Sequence, residues 1–387
     1  MVERLRIGVI GCGMIAQAHA AALRFLADDG LVRTVAAADP DPGGIERFAS
    51  IVGSLDTRYA NGHELIADPY VDAVVVVTPT RFHRDYIGAV AAAGKPLFTE
   101  KPLAPTYPDV VDIARTVTDA GIPVQVGFQS RFQPLFRRAA ELVASAEHGT
   151  VMAYTLRDDQ FWPTASVVEG HSDWRSRRDD AGGGALLEHS LHACDILNWL
   201  FGPVRRVSCV TRNVFGYDVE DVASLTIEHE NGVVGTLTSI FNGVTHREER
   251  RLEIFFERAT VEITSDFLVG APEDSFLIHR AADEQAERLD VDRLRHDTFT
   301  ADGVDPGREV FVYQYFAHRA FAQALAAGRR PAPGIDDALR AHQVVEAAYR
   351  SAERGVPVDL SELVLGYSGI AARRQFDDLD ARLQNGS

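Results

Sequence analysis

Residues 6–16 read RIGVIGCGMIA. An apolar run, RIGVI, meets Gly11-Cys12-Gly13 and passes through Met14, Ile15 and Ala16 into the helical stretch AQAHAAALRFLADDG. A strand running through G-x-G-x-x-A into a helix begins a βαβ unit. Gly11 permits the tight turn, Gly13 lets a pyrophosphate approach the main chain, and Ala16 allows close helix-to-strand packing. The first helical amides, at Met14 and Ile15, then face the phosphates. Alone the pattern fits any glycine-rich turn; its place at the first strand–helix junction points to a dinucleotide. Asp39 ends the second apolar run, at the spacing where a carboxylate holds an adenosine ribose. A carboxylate accepts from a ribose diol and repels a 2′-phosphate. Pro40-Asp41-Pro42-Gly43 brings no arginine beside it, and Arg47 sits further on, so NAD is expected over NADP.

Outward from that start, the first 127 residues alternate short apolar runs with helical stretches. RLRIGVI, TVAAAD, VDAVVVV, PLFTE and IPVQVGF read as strands buried on both faces, the mark of a parallel sheet. Helices lie between them, one opening at Thr106 and Asp109 with capping-box spacing. After Phe128 the rhythm changes. A helix around QPLFRRAAELVASAE leads to the strand VMAYTLR, a loop with Trp162 and Trp174, and a helix after the AGGG run. Residues 204–280 hold strands at hairpin spacing, with Asn231-Gly232 as a turn signal. Helices return at 309–327 and 334–354, and a polar tail ends the chain. The expected fold is therefore α/β: residues 1–127 as a doubly wound dinucleotide-binding domain, and 128–387 as an α+β domain with a large, mostly antiparallel open sheet. The late helices are expected to pack back on the first domain.

Composition narrows the function. A net charge of −17 opposes nucleic acid and anionic membranes. Three widely spaced cysteines make neither a disulfide framework nor a zinc knuckle, which fits a reducing cytoplasm. No leader is read in MVERLRIGVIGCG, and no apolar run approaches the roughly 18 residues of a membrane helix.

The stretch AGGGALLEHSLHACDILNWLFG, 181–202, carries two acids and two histidines among apolar positions. On a regular helix Glu188, His192 and Asp195 fall on one face, with His189 on its flank. Such a stripe is costly unless its groups pair or face a cavity. A structural polar network is the bland reading. A metal held by His189, His192 and Asp195 is a second, but no closed four-ligand spacing supports it, and none is expected. Acid–base chemistry at His192 is the third and preferred reading.

The ordered set Gly11-x-Gly13-x-x-Ala16, Thr78-Pro79 with His83, Gly94-Lys95-Pro96, Glu100-Lys101-Pro102, AGGG with His192-x-x-Asp195, and Tyr349-Arg-Ser351-Ala-Glu353-Arg-Gly355-x-Pro357-Val358 resembles the glucose–fructose oxidoreductase / inositol dehydrogenase / rhizopine catabolism family (Gfo/Idh/MocA) over nearly the whole chain. The resemblance implies a Rossmann domain followed by an open-sheet domain often used to oligomerise. It also implies an NAD(P)-dependent oxidoreductase acting on a sugar, cyclitol or related polyol. In that frame Lys101, His192 and Asp195 are catalytic. Thr78, Pro79, His83, Glu100, Lys101 and Gln129 lie at the cofactor, and Trp174, Arg175, Glu188 and His189 at the substrate. One departure stands out: the family's usual Asp and Gly are replaced here by Glu188 and Ser190.

Lysine usage sharpens this. Lys95 and Lys101 are the only lysines, beside 37 arginines. A compact ammonium at Lys101 delivers one hydrogen bond to an alcohol oxygen, which a planar guanidinium does less well. It also stabilises a developing alkoxide. Lys95, at a Gly-Lys-Pro turn, reads as a cation near helix-terminal carbonyls, worth about 0.3–1 kcal/mol. Two other functions share these residues: an NAD-dependent glycosidase using transient oxidation, and a dinucleotide-sensing protein without chemistry. The intact Lys101, His192 and Asp195 argue against the last. A cytoplasmic homodimer or homotetramer is expected, built on an apolar sheet face from segments such as RLEIFFE and TVEITS.

Overall fold

The computed structural model describes residues 4–161, 173–244, 248–266, 273–305 and 313–363. Trp162 and the polar tail beyond 363 lie outside them. The first sheet is built from β1 (Leu5–Ile10), β2 (Val32–Ala38), β3 (Thr57–Tyr59), β4 (Ala73–Val76), β5 (Leu97–Thr99) and β6 (Val124–Val126), in the order β3-β2-β1-β4-β5-β6. Every pair is parallel. Its crossovers are α1 (Met14–Asp28), α2 (Pro42–Val52), α3 (Gly62–Ala67), α4 (His83–Ala92) and α5 (Tyr107–Ala120). All four residues of β4 are buried, as a strand covered on both faces requires. Local chemistry sets the helix ends. Asp41 and Asn61 cap α2 and α3, Thr106 accepts from Asp109 N, and Gly121 closes α5 at φ 68°. The edge strand β3 is absent from the sequence reading, because three residues carry no legible period.

The second sheet has nine strands: β7 (Val151–Phe161), β8 (Val204–Arg212), β9 (Val222–His229), β10 (Val234–Asn242), β11 (Glu249–Phe256), β12 (Ala259–Ser265), β13 (Ser275–Arg280), β14 (Glu287–Arg288) and β15 (Val358–Asp359). Their order is β14-β13-β12-β11-β7-β10-β9-β8-β15. All pairs are antiparallel except β7 with β10. The Asn231-Gly232 turn joins β9 to β10, with Gly232 at φ 90°. Helices α6 (Pro134–Ser145), α7 (Leu191–Phe201) and α10 (Ile335–Arg354) cover one face, in one continuous core. A helix over Val291–Ala301, α8, escapes the sequence reading because Phe299 alone is buried in it.

The late helix α9 (Gln314–Ala326) packs against α1; Phe316 and Phe321 share a core with Ile7, Val9 and Ala16. Helix α10 packs on α5 and α7. The expected apolar sheet face takes a different form. Leu252, Ile254, Phe256, Val261 and Ile263 turn inward and are covered within the chain. Arg251, Glu253, Phe255, Thr260, Glu262 and Thr264 turn outward. The uncovered face is largely polar, because strand alternation sends one of every two residues to each side.

Candidate active site

The phosphate loop is shaped by what glycine lacks. A Cβ on Gly11, which has φ 96°, would lie 2.8 Å from the Val77 carbonyl carbon and oxygen. A Cβ on Gly13 would meet nothing within 4 Å, and Ala16, in the first turn of α1, is fully buried. The first amides of α1, from Met14 and Ile15 on, are left without a side-chain cap at Gly13. Asp39 Oδ2 accepts from Cys12 N at 2.7 Å and Oδ1 from Asp41 N at 2.8 Å, fixing the carboxylate at the strand end. Nearly two turns along α2, Arg47 reaches back to Asp41 at 3.0 Å. Thr78 Oγ1 and Gln129 Oε1 are buried without a partner in the chain. Open room at Gly13, uncapped amides and these orphaned atoms fit a bound dinucleotide. His83 is buried instead as a strut: Nδ1 meets the Pro102 carbonyl at 2.7 Å and Nε2 the Thr78 carbonyl at 2.9 Å. Pro79 lies between Thr78 and the short turn 80–82 that leads to it.

Lys101 leaves the end of β5. Glu100 Oε2 accepts from its backbone amide at 3.1 Å, and the Lys101–Pro102 bond is cis. The Lys101 ammonium donates to the backbone carbonyl of Glu188. Burial pulls its pKa below 10.5, and the Glu188 and Glu100 carboxylates oppose the fall. Lys95 also ends on a carbonyl, that of Asp68 at 2.6 Å, just past the last residue of α3.

The AGGG run is crowded. A Cβ at Gly182 would lie 2.0 Å from the Pro105 oxygen, at Gly183 2.1 Å from the Tyr349 hydroxyl, and at Gly184 1.8 Å from the Glu220 carbonyl. The Glu220 carboxylate accepts from Gly184 N, Leu186 N and the Tyr349 hydroxyl. The chain then makes a wide turn over Ala185–His189, and α7 starts only after Ser190. The expected single helical face through Glu188, His192 and Asp195 is therefore broken, because the wider turn resets the helical phase. Ser190 is fully buried and bonds Ser239 of β10 at 2.6 Å.

Glu188 faces the first domain. Its carboxylate accepts from Thr80 Oγ1 and from Arg175 Nε, each at 3.3 Å, and Arg175 stacks on Trp174 at 4.4 Å. His189 turns to the sheet, 3.1 Å from Asp158 Oδ1. Asp158 in turn holds Arg250 through two bonds of 3.0 and 3.1 Å. His192 Nδ1 is buried without a partner, and Phe128 meets its ring edge-on at 5.8 Å. Burial pushes His192 well below 6.5, helped by the positive charges of Lys101 and Arg250. Asp195 is bound by Arg131 at 2.7 and 2.6 Å. Burial lifts Asp195 to about 6 while Arg131 opposes the rise, so the pair is ionic at neutral pH. Among the described residues no group of three or more His, Cys, Asp and Glu could hold a metal ion. Lys101, Glu188, Arg175 and His192 thus share one site, whereas Asp195 and His189 point to other partners.

Sequence reasoning missed Arg131, Asp158 and Arg250. Two had a signal: Asp158 is in phase with Tyr154 and Leu156, and Arg250 with Leu252 and Ile254, so strand alternation turns both charges inward.

The chain is similar to known proteins. Residues 5–128 match the oxidoreductase family with an NAD-binding Rossmann fold, and residues 136–262 match the GFO/IDH/MocA C-terminal domain. An inositol 2-dehydrogenase of Acidothermus cellulolyticus is 32% identical over 269 residues, covering 68% of this chain and 73% of that protein. The chain belongs to the Gfo/Idh/MocA oxidoreductase family. Within the family, a D-xylose 1-dehydrogenase (NADP(+)) of Haloferax volcanii is 28% identical over 79% of this chain and 86% of that protein. Levoglucosan dehydrogenase, solved with NADH and levoglucosan, shares the fold with a TM-score of 0.82 at 22% identity, over 92% of this chain and all of that one. No helix among the described residues is long and apolar enough to cross a membrane.

Proposed function

We propose that the protein is an NAD-dependent dehydrogenase moving hydride between the cofactor and a secondary alcohol or ketone of a sugar, cyclitol or related polyol. The observation that carries this reading is that the Lys101 ammonium, anchored on the Glu188 carbonyl, lies close enough to the buried His192 ring to disfavour its charged form. His192 is poised to accept a hydroxyl proton because burial and Lys101 disfavour its charged form. Lys101 donates to one carbonyl and keeps further N–H groups for the reacting oxygen, whose negative charge grows as hydride leaves. When bound, the nicotinamide accepts that hydride or returns it. Glu188, held by Thr80 and Arg175, accepts from substrate hydroxyls, and its extra methylene relative to Asp makes the pocket shallower.

Family relatives that act on inositol and D-xylose support this substrate class. The Asp39 carboxylate supports NAD over NADP, and Arg47 is the residue on which that preference turns, since it already pairs with Asp41. The experiment is a panel of inositols, pentoses, hexoses and glycosides with NAD and with NADP, followed by nicotinamide absorbance. Net NADH formation on a free polyol supports the dehydrogenase; glycoside cleavage without net NADH replaces it with the glycosidase reading. We further propose a cytoplasmic homodimer or homotetramer assembled on the open, polar sheet face. Light scattering that returns a monomer at micromolar concentration removes that part.

A further inference from the structure

Asp195 lies one turn beyond His192 on α7, yet both its carboxylate oxygens accept from Arg131. The same Arg131 Nη2 reaches Asp337 Oδ1 at 3.1 Å, and Asp337 caps α10 by accepting from Gly334 N at 2.8 Å. The guanidinium also lies over the Trp199 ring, 5.7 Å from its centre. One part-buried cation therefore joins the end of the first domain, the His192 helix and the start of α10. Arg131 belongs to the turn 129–132, which follows Phe128 directly. Phe128 is the ring that meets His192 edge-on. The second anchor of this turn is Ser130, whose hydroxyl oxygen accepts from Arg250 Nη1 at 3.1 Å. His192 is thus set from two sides, by its own helix and by the Phe128 ring, and Arg131 fixes both.

We infer that Arg131 is the positioning residue for His192, and that Asp195 serves Arg131 as counter-ion and does not share the His192 proton. The inference rests on reading His192 as the acid–base group. A bidentate Arg–carboxylate pair occupies both oxygens in a fixed plane, while His192 Nδ1 stays unpartnered. The charges acting most on the His192 ring come from Lys101 in the first domain, Arg250 on β11, His189 in the preceding turn and Asp158 on β7. Asp195 is not among them. A helix rotation that displaces His192 by about 1 Å is enough to cost on the order of 100-fold in rate, so the clamp matters although it touches no reacting atom.

Two measurements on the full-length protein test this. The first follows the His192 Cε1–H signal through pH in protein labelled with 13C-histidine, assigned by its loss in His192→Gln; it needs no substrate. Asp195→Asn is expected to leave that midpoint within about half a pH unit of wild type, because the proton on His192 does not depend on Asp195. The second is turnover. Arg131→Gln, Asp195→Asn and the double variant should each lower kcat by the same factor, on the order of 10–100-fold, with KM for the dinucleotide unchanged, because each releases the same clamp. Arg131→Lys keeps the charge without the fork and recovers only part of the loss. A midpoint that moves by more than about one unit in Asp195→Asn makes Asp195 the proton partner and overturns the inference. Wild-type kcat in the folded variants, with only the melting temperature lowered, overturns it too. If Arg131→Gln does not fold, Asp195→Asn and Arg131→Lys carry the comparison, each expected to lower kcat while the His192 midpoint stays in place. Full turnover in His192→Gln defeats the reading of His192 itself, and the titration still reports separately on Asp195.

Discussion

Two glycine-rich turns stand at the two ends of the site, and they use glycine for opposite ends. At Gly13 the missing Cβ leaves open space, and the nearest helix amides have no side-chain cap. At Gly182, Gly183 and Gly184 the missing Cβ atoms leave no space at all, because Pro105, Tyr349 and Glu220 fill it. The first turn keeps room for something outside the chain. The second lets the chain close on itself, and its closure delivers the Glu188 carbonyl to Lys101. Counting glycines does not separate the two; what stands beside them does.

The sharpest way to break this contrast is Gly184→Ala. Its Cβ would sit 1.8 Å from a backbone oxygen, which no rotamer relieves. The expected loss is about 3 kcal/mol of stability or more, read as a collapse of the denaturant midpoint or failure to fold. Next is Lys101→Arg, which keeps the charge but brings a larger, planar group to the pocket formed by the closed turn. It should lower kcat on the order of 100-fold with NAD binding retained; normal turnover would leave the lysine assignment resting on resemblance alone. Gly13→Val tests the open turn. The apo protein should melt as wild type, while dinucleotide Kd, by direct titration, weakens about 10-fold or more, roughly 1.4 kcal/mol. A lowered melting point without a change in Kd would show that the open room serves packing instead.

Acid–base behaviour sharpens the closed side. His192 is pushed below 6.5, so the neutral, proton-accepting form persists as pH falls through neutrality. Alcohol oxidation should then decline only on the acid side of pH 6.5, and His192→Ala should remove that limb of the kcat/KM profile. The smallest effect is expected for Lys95→Arg. Its ammonium meets one part-buried carbonyl just past the end of α3, and the change should cost less than about 1 kcal/mol in thermal unfolding and leave kinetics alone.

Much of this was legible in the sequence, for physical reasons that differ from residue to residue. Strands buried on both faces announce themselves as unbroken apolar runs, which is why β1, β2 and β4 were readable. Gly11, Gly13 and Asp39 were readable because their spacing follows one local turn. Asp158 and Arg250 were written in the alternation of their strands, as charges in phase with buried neighbours. The break at Ser190 was not, since a wide turn followed by a helix has nearly the composition of a helix alone, and the change of phase moves Glu188 off the face that carries His192 and Asp195. Arg131 was not legible at all: its partners Asp195 and Asp337 are 64 and 206 residues away, and no local pattern encodes such a meeting.

The scarcity of lysine has a practical side as well. The chain carries two side-chain amines, both spent on a main-chain carbonyl and both held below 10.5 by burial. Acylating and aldehyde reagents, which scatter over many sites on most proteins, here have one side-chain target just past a helix end and one, Lys101, in the candidate site. Each lysine is followed by proline, so proteases that cut after lysine find poor bonds at both. An amine-directed label on Lys101, competed with substrate, would therefore test whether Lys101 lines the substrate site, on a background that Lys95→Arg reduces to the α-amine.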